Sequence, residues 1–168
     1  MAKTKNATGT KTKKDEGGDG TLVVNRRAGY DYFIEDRYEA GMALTGTEIK
    51  SLRAGHANLR EAYARIDGDE AWLWNAHISP YEGGNRFNHE PTRRRKLLLH
   101  RRQIAQLAGI VKRQGYTLVP LRIYIRNNRA KVEIGVARGK KAYDKRDTMA
   151  ERDAKREVER ALAERRRG

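Results

Sequence analysis

Cationic and planar side chains recur together along this chain. Arg26 and Arg27 precede Tyr30 and Tyr32, Arg86 adjoins Phe87, and Arg93-Arg94-Arg95-Lys96 follow Pro91. Guanidinium forks clamp phosphates bidentately, while aromatic and guanidinium planes stack on unpaired bases, so this combination points to RNA. Each cluster alone is unspecific, because charge runs are usually solvated surface and Tyr32 fits a core equally well. Signals for catalysis are weaker. The chain has no glycine-rich phosphate loop, no G-x-S-x-G turn and no histidine pair at helical metal-binding spacing. His56, His77, His89 and His100 are scattered. A structural or RNA-contact role suits each better than catalysis, since neutral imidazole donates, accepts and stacks. Glu39 and Glu48 raise the alternative of a nuclease-like carboxylate pair. The plainer reading of Glu48 is a helix N-terminal carboxylate favoured by the dipole. No catalytic residue, metal ligand or cofactor is assigned.

Composition bounds the scaffold for these groups. A length of 168 residues suits one compact domain with tails. Thirty-seven Lys and Arg against 22 Asp and Glu leave a formal charge of +15, which favours a polyanion through steering and counterion release. An anionic membrane is the other polyanion, but it calls for a long apolar span, a lipidation signal or a strongly amphipathic helix, and none is evident. Apolar runs such as Leu97 to Leu99 are short, and the first twenty residues lack a secretory hydrophobic segment, so a cytoplasmic protein is expected. The absence of cysteine excludes disulfides and cysteine-based sites.

The elements that position the candidates follow from local pattern. Residues 1–20 hold Lys3, Lys5, Lys11, Lys13 and Lys14 with almost nothing apolar, so a disordered basic arm is expected. Tyr32 to Ile34 and Tyr38 to Leu44 predict extended segments broken at Gly41. Thr45-Gly-Thr-Glu48 opens a short helix carrying Ile49 and Leu52, with Thr47 the expected N-cap and Gly55 the stop. Ala62, Ala64 and Ile66, then Asp67-Gly68-Asp69, then Ala71 to Trp74 and Ala76 to Ile78, predict an antiparallel hairpin region. Pro80 to Pro91 has loop composition, and its Tyr81, Arg86, Phe87 and His89 are candidates for stacking on bases. Leu97 to Leu99, Ile104, Leu107, Ala108 and Val111 follow a helical period up to Gly115. Tyr116 to Val119 and Leu121 to Ile125 predict strands, and Asn127-Asn128 a two-residue turn into Ala130 to Val136.

Residues 139–168 hold eleven Lys and Arg against seven Asp and Glu, a surplus of four, and only a narrow stripe of Ala150, Ala154, Val158, Ala161 and Leu162. Such a segment is expected to be disordered when free and helical when docked. The fold class predicted is mainly β, a small antiparallel OB-like barrel with two or three helices. Its parts are the arm over 1–20, the barrel over 21–138 and the tail over 139–168.

Several strings are more specific than any of these patterns. Asn25-Arg-Arg-Ala28, Asp31-Tyr-Phe-Ile34, Tyr38-Glu-Ala-Gly41, Thr45-Gly-Thr-Glu-Ile-Lys-Ser-Leu-Arg-Ala-Gly55 and Asn75-Ala-His-Ile-Ser-Pro-Tyr81 resemble the SsrA-binding protein family, also called small protein B. Asn85-Arg-Phe-Asn-His89, Pro91-Thr-Arg93, Arg95-Lys-Leu-Leu-Leu-His100, Leu118-Val-Pro-Leu121, Ala137-Arg-Gly-Lys-Lys141 and Tyr143-Asp-Lys-Arg146 continue the resemblance in order, over roughly residues 22–162.

The resemblance implies a barrel that grips the tRNA-like portion of transfer-messenger RNA and a tail that enters the empty messenger channel of the small ribosomal subunit. It implies ribosome rescue by trans-translation, with elongation factor Tu and alanyl-tRNA synthetase as indirect partners and a monomer when free. The RNA-gripping positions it carries over are Asn25, Arg26, Arg27, Tyr30, Glu39, Leu98 and His100. A carboxylate at Glu39 would accept base amino groups or hold an arginine for phosphate binding; Leu98 fits core packing as well as contact. The ribosome-binding tail positions are Lys140, Lys141, Tyr143, Asp144, Lys145 and Arg146. One departure stands at Gly29-Tyr30, where many family members carry Arg-His; Tyr30 keeps the capacity to stack.

Overall fold

The computed structural model describes residues 20–113 and 115–167; the basic arm expected over 1–20 lies outside them except for Gly20. The chain runs β1 (Gly20–Val24), α1 (Ala28–Asp31), β2 (Tyr32–Met42), α2 (Gly46–Arg53), β3 (Ala57–Asn58), β4 (Tyr63–Asp67), β5 (Glu70–Trp74) and β6 (His77–Ile78). After a 3-10 turn (Glu82–Phe87) come β7 (Arg95–Leu98), α3 (Arg101–Val111), β8 (Tyr116–Arg126), β9 (Arg129–Gly139) and α4 (Ala142–Arg167).

Seven strands join in the order β1-β8-β4-β5-β7-β2-β9, and a further pairing of β8 with β9 closes six of them into a barrel. For those six strands closure removes the free edges that would otherwise invite aggregation, while β1 adds to β8 from outside the ring. β8 is long enough to serve two neighbours along one edge: Leu118 meets Ala64 of β4, and Arg122 to Ile125 meet β1. All the pairings are antiparallel, which is the OB-like, mainly β architecture expected from the sequence. Among the described residues four helices stand against the two or three expected, the extra one being the four-residue α1. Inward side chains such as Leu73, Leu97, Leu118, Ile123, Val132 and Ile134 are almost wholly buried with Leu52 of α2 and Leu107 of α3. Burial of this kind contributes roughly 1.5–3 kcal/mol per large side chain.

The local signals explain most element boundaries. Asn127 and Asn128 take φ of 50° and 59°, the left-handed pair that a tight β8–β9 hairpin needs and that asparagine tolerates. Gly55, at φ 78°, follows the C-cap of α2, where a left-handed residue ends the helix without Cβ strain. The N-cap of α2 is Thr45 rather than Thr47: Glu48 N–H donates to Thr45 Oγ1, while Thr45 N–H donates to Glu48 Oε2 at 2.8 Å. That reciprocal pairing needs a three-residue spacing, which Thr45 and Glu48 have and Thr47 and Glu48 do not. Gly41 does not break β2 but sits inside it, opposite Lys131 and Leu98.

Leu97 and Leu98 belong to β7, not to the helix that their spacing from Ile104 suggests. Leu97 is buried opposite Ala71 and Met42, Leu98 points outward, and His100 is extended at φ −63° and ψ 143° before α3 starts. Pairing on both sides of β7 outweighs the helical period at that point. The loop expected from Pro80 to Pro91 holds the 3-10 turn. The tail has its helical form throughout 142–167, with only Asp144, Lys145 and Thr148 half-buried among its described side chains. No helix among the described residues is long and apolar enough to cross a membrane.

Candidate nucleic-acid interface

The connection from β1 to α1 gathers four of the predicted contacts. Asn25 ends β1 by donating its N–H to Leu121 O, at 2.8 Å, and its Nδ2 to Leu59 O and Pro120 O, at 3.2 and 3.0 Å. These bonds tie the turn to two neighbouring segments, and Asn25 Oδ1 is buried without a hydrogen-bond partner among the described residues. Arg27 donates from Nε to Asp31 Oδ2 at 2.9 Å, one helical turn on, which orients its guanidinium. Arg26 is exposed and has no ion pair among the described residues. With Tyr30 they line an open groove of about 670 Å3, to which Asn58 and Arg60 add from the β3–β4 connection and Met149 and Arg152 from α4. Four arginines, two amide side chains and a phenol ring can meet phosphates, base edges and a base plane together.

Tail and groove are built onto each other. Lys140 donates its N–H to Asp31 O at 2.9 Å and its ammonium to Gly29 O at 3.1 Å and Thr148 Oγ1 at 3.0 Å. Lys145 lies 3.3 Å from Asp31 Oδ1 and 5.8 Å from the Tyr30 ring centre. Asp144 caps α4 by accepting the Lys141 N–H at 3.1 Å. Of the six predicted tail residues, Lys140, Asp144 and Lys145 therefore fasten the root of α4, while Lys141, Tyr143 and Arg146 are exposed. A Cβ at Gly29 would lie 3.6 Å from Arg152 Nη2, so the tail brings a guanidinium beside this position.

Glu39, Leu98 and His100 lie outside that groove. Glu39, on β2, accepts hydrogen bonds from the Tyr124 hydroxyl and, at 3.0 Å, from Arg126 Nη1. The Tyr124 hydroxyl foremost, then Arg126, hold this carboxyl below the usual range, whereas burial and the carboxylate push the Tyr124 phenol up to about 12. Glu39 thus fixes an arginine beside a phenol. Leu98 is 54% exposed, which removes the core-packing reading, and it lines a second depression of about 460 Å3 with Gly41, Ile49, Arg129 and Lys131. His100 is exposed at the start of α3, where its N–H donates to Gln103 Oε1 at 3.2 Å. Sequence reasoning missed Arg60, Tyr124, Arg126 and Arg152. The alternation of Tyr124 and Arg126 on one strand face was the only signal for any of them.

Within the run Arg93-Arg94-Arg95-Lys96, Arg93 and Arg95 are not the phosphate clamp that the composition suggests. Glu48 is wholly buried and binds Arg93, through Nε at 2.9 Å and Nη2 at 2.7 Å, and Arg95, through Nε at 2.8 Å. Arg95 is equally buried and donates also to Ala76 O and Pro91 O. Burial pushes the Glu48 carboxyl up, but the bonds from Arg93, the Thr45 N–H and Arg95 outweigh it and leave the group below its ordinary value. Burial in turn lowers the Arg95 pKa. Glu48 is a core ion pair, so the metal-binding pair with Glu39 does not form. His89 is half-buried and bonded within the protein: Thr47 Oγ1 lies 2.9 Å from Nδ1 and Ile78 O 2.8 Å from Nε2, so the ring anchors its loop. Phe87 stays 89% exposed.

A closed antiparallel barrel with an arginine-lined groove and a basic helical extension is in class a nucleic-acid-binding barrel. The SmpB protein family model matches residues 22–164. The chain is 68% identical over 152 residues to the SsrA-binding protein of Roseiflexus sp. (strain RS-1), covering 89% of this chain and 96% of that one. It is 59% identical over 149 residues to the SsrA-binding protein of Geobacillus kaustophilus, covering 88% and 96%. A chain of the solved structure "tmRNA-SmpB: a journey to the center of the bacterial ribosome" matches with a TM-score of 0.62 and 51% identity, over 71% of this chain and 85% of that one. The chain belongs to the SmpB family, the SsrA-binding proteins.

Proposed function

We propose that this chain binds the tRNA-like domain of transfer-messenger RNA and delivers it to stalled ribosomes for trans-translation in the cytoplasm. It acts as an adaptor and not as an enzyme. The observation that carries this reading is the groove in which Asn25, Arg26, Arg27 and Tyr30 converge, four of the positions that the resemblance to the family carries over as RNA contacts. Arginine forks there bind the backbone, Tyr30 stacks on a base, and Asn25 holds the turn in place. Glu39 acts through Arg126, and Leu98 offers an apolar contact to a base or ribose face. The tail, through Lys140, Lys141, Tyr143, Asp144, Lys145 and Arg146, enters the empty messenger channel, follows small-subunit RNA and stands in for codon-anticodon pairing. Its mixed charge gives contacts to phosphates without indiscriminate adhesion. Elongation factor Tu and alanyl-tRNA synthetase act on the same RNA and need no direct contact with this chain, a monomer when free.

Truncation separates the two halves of this function. β9 runs to Gly139, so the cut belongs after Lys141 and not at Val136, which would strip Ala137 from its place beside β2. The shortened chain is expected to bind the isolated tRNA-like domain within a few-fold of the full chain and to lose peptide tagging on stalled ribosomes. Loss of RNA binding by a still-folded truncation would refute the division of labour.

A further inference from the structure

The outer face of β4, β5 and β7 carries three aromatic rings among cations. Tyr63 and Trp74 are cross-strand partners with ring centres 6.4 Å apart and planes 5° from parallel. Arg65 lies opposite Trp72, and Trp72 opposite Lys96. Arg94 places its guanidinium 4.6 Å from the Trp72 ring centre and 5.7 Å from that of Trp74. Tyr63 is 37% exposed and both indoles are half-buried.

Arg94 differs from the arginines on either side of it. Arg93 and Arg95 meet Glu48, whereas Arg94 has no ion pair among the described residues. A guanidinium already held against two indoles gives up little side-chain freedom when it grips a phosphate. Arg65, Arg94 and Lys96 outnumber the carboxylates beside them, Glu70, bonded to Lys96 at 2.7 Å, and Asp67 at the hairpin tip. Charged side chains, not aliphatic ones, stand between the rings, which favours a polyanion with planar bases over the apolar centre of a protein interface.

We propose that this strip is a second RNA-binding surface that takes a single-stranded segment. Bases stack against Tyr63 and the indoles, and phosphates pair with Arg94, Arg65 and Lys96. The strip shares no lining residue with the groove of Arg26 and Arg27 and does not depend on the function proposed for it.

The chain's two tryptophans both lie in the strip, so intrinsic tryptophan fluorescence reports on this face. The full chain is titrated with oligoadenylate of roughly eight nucleotides, and binding is followed in parallel by anisotropy of the labelled RNA. The expected result is saturable quenching that weakens with salt. Arg94→Ala should weaken the quenching affinity roughly tenfold, and Tyr63→Ala several-fold, with melting temperatures near that of the parent. The double variant Arg26→Ala with Arg27→Ala should quench as the parent does while losing affinity for transfer-messenger RNA, so the two sites fail independently. Anisotropy without quenching, or undiminished quenching in Arg94→Ala, would overturn the proposal and leave the strip as a face for another class of partner, such as protein. An absence of any oligoadenylate binding would overturn it equally.

Discussion

Two arginine clusters of similar composition do opposite work in this molecule. Arg93 and Arg95 face inward onto a buried carboxylate, Glu48, and knit α2 to β7. Arg26 and Arg27 face an open groove, where Arg27 meets only the partly exposed Asp31 and the exposed Glu61, and Arg26 no partner among the described residues. The difference lies in burial and in the presence of a committed carboxylate, not in the arginines. A buried guanidinium must keep its counter-charge, because desolvation makes an unpaired ion costly. An exposed one retains its charge for a ligand, and surface ion pairs of the Arg27 kind contribute little to stability.

The largest effect should come from cutting the inner cluster. Glu48→Ala leaves Arg95 buried without a counter-charge and is expected to cost about 3–5 kcal/mol in urea unfolding. Acid makes the same point without mutation. The Glu48 carboxyl sits below its ordinary 4.5, so its contribution to stability is present above that value and is lost as pH falls through the lower folded-state value. The melting temperature should therefore drop below about pH 4.5, and Glu48→Gln should flatten that part of the profile. Parent-like stability in Glu48→Ala would erase the contrast between the clusters.

The outer cluster should show the reverse. Arg26→Ala combined with Arg27→Ala is expected to change stability by no more than about 0.5 kcal/mol. The same pair should lose roughly tenfold or more in RNA affinity and reduce the salt slope by roughly two, both read in a salt-dependent filter-binding series. A smaller effect is expected of Glu39→Ala. It adds net positive charge, yet it frees Arg126 and Tyr124 from their fixed arrangement, so binding should weaken a few-fold. Tighter binding would remove the positioning role of Glu39.

Much of this was legible in the sequence because local chemistry decides it. The asparagine turn, the Gly55 stop and the alternation in β4, β5, β8 and β9 each follow from a few adjacent residues. Positions that depend on distant partners were not legible. The sequence placed Leu97 in a helix because its spacing to Ile104 is helical, and only pairing with Ala71 and Met42 makes it a strand residue. Whether Arg94 or Arg95 faces inward depends on the register of β7, which no local pattern states. Glu48 was read as a helix-terminal carboxylate, correctly, but its two arginine partners lie 45 and 47 residues away. Motif order identified Asn25, Arg26, Arg27 and Tyr30 as a group; it could not show that Arg60 and the tail's Arg152 share their groove.

The most direct test of the proposed function compares the purified full chain on labelled transfer-messenger RNA, an elongator tRNA and a random RNA of equal length at physiological salt. A clear preference for transfer-messenger RNA that disappears in the Arg26→Ala, Arg27→Ala variant is the predicted result. Equal affinity for the three RNAs would contradict it and leave a basic barrel that binds RNA without selection.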